Sequence, residues 1–329
     1  MPIDASTSAT DSPFASPAAP ALHPGKFRDP RLTLDGARRA RVAMTGLSTL
    51  WFNTGTLCNI ACANCYIESS PRNDALVYLS AGEVEDFLIE AAALRLPVRQ
   101  IGFTGGEPFM NRDIIAMIEA ALCRGHLVLV LTNAMRPMRR FEGPLRALRD
   151  RYGEALSVRV SLDHYTCAVH EAERGPGAWS AALGGLRWLA AQGFSLAVAG
   201  RRLSGEAAEQ ARAGYGLLFA NLGIAVDADD PARLVLFPEM DRTRDTPEIS
   251  NACWDLLEVS PAAMMCATGR MVVKRKDASA PAVVACTLTS DDRRFELGPT
   301  LAGALGEVVL NHPHCSRFCV LGGASCGAP

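Results

Sequence analysis

Short, mostly apolar runs recur along the chain up to residue 237, separated by longer segments in which apolar positions return every three or four residues. Leu127-Val128-Leu129-Val130-Leu131 is the plainest of the runs. Similar runs predict strands over residues 48–52, 100–104, 156–162, 194–198 and 233–237. The segments between them predict helices over residues 81–95, 112–124, 137–152, 179–192 and 207–222. The first of these helices has a defined start, because Ser80 can cap it and Glu83 stands three positions later in capping-box spacing. Val84, Phe87, Leu88, Ala91 and Ala92 then keep a helical period until Pro97 ends it. Continuous apolar strands need cover on both faces, and amphipathic helices between them supply it, so an α/β fold with a parallel sheet is expected.

Directly after the first strand lies Cys58-Asn59-Ile60-Ala61-Cys62-Ala63-Asn64-Cys65-Tyr66. The spacing C-x3-C-x2-C gathers three thiolates on one loop without a fourth local partner. Three thiolates can hold a cubane [4Fe–4S] cluster by three corners and leave one iron open to a substrate. Structural zinc is the alternative, but zinc sites usually pair two C-x2-C knuckles or a knuckle with a histidine pair. Here the next cysteine is Cys123 and the next histidine His126. The second strand ends in Gly105-Gly106-Glu107-Pro108, where paired glycines permit close approach of the backbone and Glu107 can accept from an ammonium group. The fourth strand ends in Ser161-Leu162-Asp163, followed by His170 and Arg174-Gly175.

The cysteine triplet, the Gly-Gly-Glu-Pro turn and the Ser-Leu-Asp segment resemble the radical S-adenosylmethionine (radical SAM) family over residues 48–237. The resemblance implies a partial (β/α)6 TIM-like barrel with its chemistry at the C-terminal ends of the strands. It implies that Cys58, Cys62 and Cys65 hold a SAM-binding [4Fe–4S] cluster, and that Gly105, Gly106, Glu107 and Pro108 hold the methionine amino group. Ser161, Asp163 and Asn133 could bond the ribose or carboxylate, and Arg201 or Arg202 could pair with that carboxylate. Family members often carry an aromatic residue or histidine just before the third cysteine. Here that position is Asn64, and Tyr66, after the cysteine, is the candidate for the cofactor contact. The implied reaction is reductive cleavage of SAM to a 5′-deoxyadenosyl radical that takes hydrogen from a substrate, with flavodoxin or ferredoxin as reductant.

Beyond residue 246 the chain becomes rich in cysteine, glycine and short strand-like runs such as residues 271–274 and 282–285. Cys266, Cys286, Cys315, Cys319 and Cys326 resemble the "twitch" or SPASM extensions that hold auxiliary [4Fe–4S] clusters. The expected ligands are Cys266, Cys286 and Cys315, completed by Cys319 or Cys326, and a zinc site using His312 and His314 is the alternative. The extension inclines the substrate toward a peptide or peptide-derived natural product, matured by crosslinking, epimerisation or oxidation. Small-molecule biosynthesis, transfer of a group from SAM, and a non-catalytic iron–sulfur or zinc module stay open. Cys123 and Cys253 are expected as small buried hydrophobes. Cys167, just past Ser161-Leu162-Asp163, could donate hydrogen to a product radical.

Composition narrows the picture further. The chain of 329 residues fits one domain of residues 46–245 and an appendage of residues 246–329. A net charge of −2 offers no basic surface for nucleic acid, and no run approaches the ~18 apolar residues of a membrane span. Eleven cysteines in metal-type clusters point to a reducing cytoplasm. Residues 1–45 are expected to be disordered: the first thirty are rich in Ala, Ser, Thr and Pro, with no apolar core of signal-peptide length.

Overall fold

The computed structural model describes residues 12–15, 20–238 and 240–323. In chain order its main elements are β1 (Arg41–Val42), β2 (Thr49–Asn53), α1 (Ala81–Ala93), β3 (Gln100–Thr104), α2 (Ile114–Cys123), β4 (Leu127–Thr132), α3 (Arg136–Arg139) and α4 (Glu142–Tyr152). There follow β5 (Leu156–Ser161), α5 (Cys167–Arg174), α6 (Ala178–Ala191), β6 (Ser195–Arg201), α7 (Ala208–Leu222) and β7 (Leu234–Phe237). The C-terminal part adds β8 (Gly269–Val273), β9 (Ala282–Val284), β10 (Glu296–Gly298) and β11 (Val308–Val309).

Strands β2 to β7 lie side by side and parallel, in sequence order, as a (β/α)6 pattern demands. The sheet does not close into a barrel. On its other side β8 pairs in parallel with β2, and β9 and β10 add antiparallel to give the order β10-β9-β8-β2-β3-β4-β5-β6-β7. The C-terminal module is therefore continuous with the sheet that carries the cysteine loop. The central strands are buried on both faces, as their unbroken apolar runs require. Phe52 of β2 stacks on Phe103 of β3 with ring centroids 5.7 Å apart. Helix α1 starts with the capping box: the Ser80 hydroxyl accepts from the Glu83 N–H, and the Glu83 carboxylate accepts from the Ser80 N–H.

Several expectations require correction. The predicted helix over residues 137–152 is two helices, because Pro144 has no N–H to return to Arg140 and fits only in the first turn of a new helix. Helix α5 was not foreseen as an element at all. Residues 20–45 are ordered, not disordered. The Arg39 guanidinium pairs with Glu248 at 2.6 Å in a buried site, Lys26 pairs with Asp245 at 2.7 Å, and β1 forms a ribbon with β11. Cys123 is exposed, with its sulfur 2.9 Å from the Tyr152 hydroxyl, because it falls on the outer face of α2. Cys253 is half-buried against the C-terminal core.

Candidate active site

The loop after β2 carries Cys58, Cys62 and Cys65 and is pinned at several points. Thr56 N–H donates to Leu76 at 2.9 Å, and Cys58 N–H donates to Ser70 at 3.1 Å. The loop also lies directly on the turn that follows β3. Gly106 N–H donates to Gly55 at 2.8 Å, and Glu107 N–H donates to Leu57 at 3.1 Å. A Cβ on Gly106 would stand 2.2 Å from the Leu57 carbonyl oxygen, and one on Gly105, whose φ is +138°, would stand 2.5 Å from that of Gly55. The glycines are thus required by the adjoining main chain. Gly106→Ala must displace Leu57, the neighbour of Cys58, at a cost of about 1–3 kcal/mol. A lower calorimetric melting midpoint is expected, and an unchanged midpoint would show that the loop can yield without cost.

Glu107 does not face open space. One carboxylate oxygen accepts from the Thr132 hydroxyl at 2.8 Å and the Phe109 N–H at 3.2 Å, and the other accepts from the Asn133 N–H at 2.9 Å. It ties the end of β3 to the end of β4. Burial raises its pKa to about 7 against the opposing pull of these donors. Asn133 is equally engaged: its amide donates to Asn59 at 2.9 Å, its oxygen accepts from Met135 N–H at 3.0 Å, and its nitrogen stands 3.9 Å from the Cys58 sulfur. Pro108 is buried at the start of the short turn Pro108–Met110. Ser161 and Tyr66 are half-buried.

Across the mouth of the sheet, four charged side chains form a compact network. Arg174 grips Asp163 with two donors, at 2.7 and 3.2 Å. Arg201 Nε lies 3.8 Å from Asp163, while its terminal nitrogens donate to Glu173 at 3.0 Å and to the Asn64 carbonyl at 2.7 Å. Glu173 accepts in turn from the Asn64 N–H at 2.9 Å, and its own carbonyl accepts from Ala63 N–H at 2.8 Å. Two acids and two bases balance, and their common load is Ala63-Asn64, the link between the second and third cysteines. Burial pushes the Asp163 carboxyl up, but Arg174 and Arg201 outweigh it and hold the pKa at about 2. Both Asp163 oxygens are thereby committed to arginine.

Sequence reasoning noted Arg174 but missed Glu173, which sits in a polar stretch without apolar period. It also missed the N-terminal contribution. The Ser12 hydroxyl donates to Glu173 at 2.6 Å, and the fully buried Phe14 lies with its ring 5.3 Å from the Arg201 guanidinium. Arg202 is half-buried and donates to the Glu206 carbonyl. His170 is buried on α5 with its ring edge-on to Trp179. Cys167 is exposed at the start of α5.

The donor set of the loop fits a [4Fe–4S] cluster. The described cysteines stand as free thiols. Burial pushes Cys58 up to about 11, with Glu107 and Cys65 adding to it, and burial likewise raises Cys62. Coordination by a cationic core favours the thiolate forms. No three His, Cys, Asp or Glu side chains among the described residues converge as a single metal ion would need. A cubane asks for wider spacing, since each thiolate meets a different iron.

A second group of thiols lies in the C-terminal module. Cys266, Cys286, Cys315 and Cys319 line one small cavity, otherwise walled by Thr289 and by apolar side chains such as Met264, Leu288, Phe295 and Leu310. Cys315 and Cys319 share a face of the π-helical turn Cys315–Val320. Burial pushes Cys266 up to about 11 and Cys315 up to about 12, and Cys286 is raised by burial and by Cys319 and Cys315. The two histidines point elsewhere. His314 has its ring nitrogens 3.1 and 2.9 Å from the carbonyls of Leu288 and Met240, and His312 Nδ1 accepts from the His314 N–H. Cys326 lies outside the described residues.

Comparison with known proteins agrees with this geometry. Residues 52–203 match the family model of the Radical SAM superfamily. Among curated proteins it is 31% identical over 138 residues to the mycofactocin maturase MftC of Mycobacterium ulcerans, a match covering 42% of this chain and 35% of the maturase. It is 37% identical over 109 residues to the GTP 3′,8-cyclase of Rhodococcus opacus, covering 32% of this chain and 29% of the cyclase. The chain thus spans about a third of the length of these relatives. Streptococcus suis SuiB bound to S-adenosylmethionine superposes with a TM-score of 0.56 at 13% identity, covering 78% of this chain and 64% of SuiB, which shows a shared fold. SuiB has also been solved with its precursor peptide SuiA. No helix among the described residues is long and apolar enough to cross a membrane.

Proposed function

We propose that the protein is a radical SAM enzyme that acts on a peptide or peptide-derived natural product. The observation that carries this reading is the three-thiol loop at the end of β2, pinned by the glycine turn on one side and the Asp163–Arg174–Arg201–Glu173 network on the other. In this reading Cys58, Cys62 and Cys65 hold a [4Fe–4S] cluster. The main chain at Gly105-Gly106, together with Ser161, Tyr66 and Asn133, contributes to the SAM pocket. When bound, the cluster and SAM supply reductive cleavage of the sulfonium and abstraction of hydrogen from the substrate. The protein fixes the loop, shapes the mouth and keeps water from the reacting carbon. Residues 46–245 form the catalytic core. Residues 246–329 form an auxiliary module in which Cys266, Cys286, Cys315 and Cys319 hold a second cluster. A flavodoxin or ferredoxin supplies electrons, in a reducing cytoplasm where the thiols persist.

The likeness to a maturase and to the fold of a peptide-bound enzyme supports the peptide substrate. The match to GTP 3′,8-cyclase favours a second reading, small-molecule biosynthesis. Anaerobic reconstitution tests the core of the proposal. About eight irons per chain, two cubanes, and 5′-deoxyadenosine after addition of SAM and dithionite are expected. Methylthioadenosine or S-adenosylhomocysteine would indicate group transfer instead, and tightly bound zinc without nucleoside product would refute the enzyme reading.

A further inference from the structure

Arg270, on β8, is among the largest fully buried side chains of the protein at 1% exposure. Its guanidinium makes four hydrogen bonds, all to main-chain carbonyls. Nε donates to Ala304 at 2.7 Å, Nη1 to Cys266 at 2.6 Å and Gly269 at 2.7 Å, and Nη2 to Gly306 at 2.7 Å. None of these partners carries a negative charge. Three other buried arginines have one: Arg39 pairs with Glu248, Arg201 with Glu173 and Arg275 with Glu296. A buried cation without a counter-ion is costly, and such sites survive when an anion compensates them. The anionic candidates next to Arg270 are sulfurs. It is bonded to the main chain of Cys266, whose thiol lines the cavity together with Cys286, Cys315 and Cys319.

A cubane held by four thiolates is a dianion when its core is 2+ and a trianion once it takes up an electron. A fixed positive charge beside it stabilises the trianion more than the dianion. The effect is strong here because the cavity wall is mostly apolar and screens little. We propose that Arg270 is the built-in counter-charge of the auxiliary cluster and raises its reduction potential. The proposal rests on the auxiliary-cluster reading of the four thiols.

The test uses the full chain with Cys58, Cys62 and Cys65 changed to alanine, so that one cluster gives the signal. The core is titrated with dithionite and read by electron paramagnetic resonance. In this background Arg270→Gln should lower the reduced-to-oxidised ratio at a fixed potential at least tenfold, a midpoint shift of about 59 mV for one electron. Arg270→Lys, which keeps the cation, should recover most of it. Gly306→Asp offers a route that leaves Arg270 intact. Gly306 is exposed, a Cβ there meets nothing, and a carboxylate beside the guanidinium should shift the potential in the same downward direction. If the parent holds no cluster, the auxiliary-cluster reading fails. If it holds one and the variants titrate with the parent, Arg270 has no such role. Should Arg270→Gln fail to retain iron, Gly306→Asp decides alone: a lower potential supports the proposal and an unchanged one overturns it.

Discussion

Alanine at Cys58, Cys62 and Cys65 together should remove about four irons per chain, one cubane, and abolish formation of 5′-deoxyadenosine, while the irons of the C-terminal thiols stay. The loop contains no other residue able to replace a thiolate. Asn59 and Asn64 are held by Asn133 and Arg201 through their side-chain and main-chain oxygens respectively, and Tyr66 lies against the apolar cluster around Trp51. Single substitutions should act almost as strongly, since two thiolates leave two irons of the cubane without protein ligands. Iron and sulfide counts before and after substitution, with product chromatography, check the result. Retention of all the iron with loss of product would mean that the loop binds substrate and that the metal sits elsewhere.

The second large effect is expected at Asp163. Its removal leaves Arg174 buried beside Arg201 with Glu173 as the remaining acid of the network, and breaking a buried ion pair from one side costs about 3–5 kcal/mol. Asp163→Ala should therefore melt well below the parent. The network also predicts a pH dependence. The Asp163 carboxyl titrates at about 2 in the folded protein against an ordinary value of 3.8. A depressed acid stabilises the fold above its unfolded pKa, and that contribution is lost as the pH falls from 3.8 through about 2. The lost part is about 2 kcal/mol at 1.4 kcal/mol per unit. Denaturant midpoints of parent and Asp163→Asn should converge as the pH is lowered through this window. Parallel curves down to pH 2 would show that Asp163 is not held as a carboxylate by its arginines.

Much of this was legible in the chain. The strands announced themselves because burial on both faces leaves no polar positions, as in residues 127–131. The start of α1 was fixed by Ser80 and Glu83 acting on each other locally. The triplet Cys58, Cys62 and Cys65 was legible as a pattern because its spacing lies within a single loop. Helix α5 was not, since two of its inward positions are His170 and Glu173, which break the apolar period. The role of Glu107 was hidden for a different reason. Its partners Thr132 and Asn133 come from the next strand, and only the fold reveals that the carboxylate is already taken. Ser12 and Phe14 lie in a stretch whose composition resembles a tail, and they are ordered by partners more than 150 residues away.

The parallel pairing of β8 with β2 also fixes a distance. Thr49 stands opposite Gly269 and Phe52 opposite Val272, so Cys266 belongs to the end of β2 at which Thr49 enters the sheet. Cys58, with Asn133 at its sulfur, belongs to the end at which Asn53 leaves it. Five residues of extended chain separate the two ends, roughly 16 Å at about 3.3 Å per residue. The two proposed centres would communicate by electron transfer, across the apolar cluster around Trp51 against which Tyr66, Cys286 and Cys319 all pack.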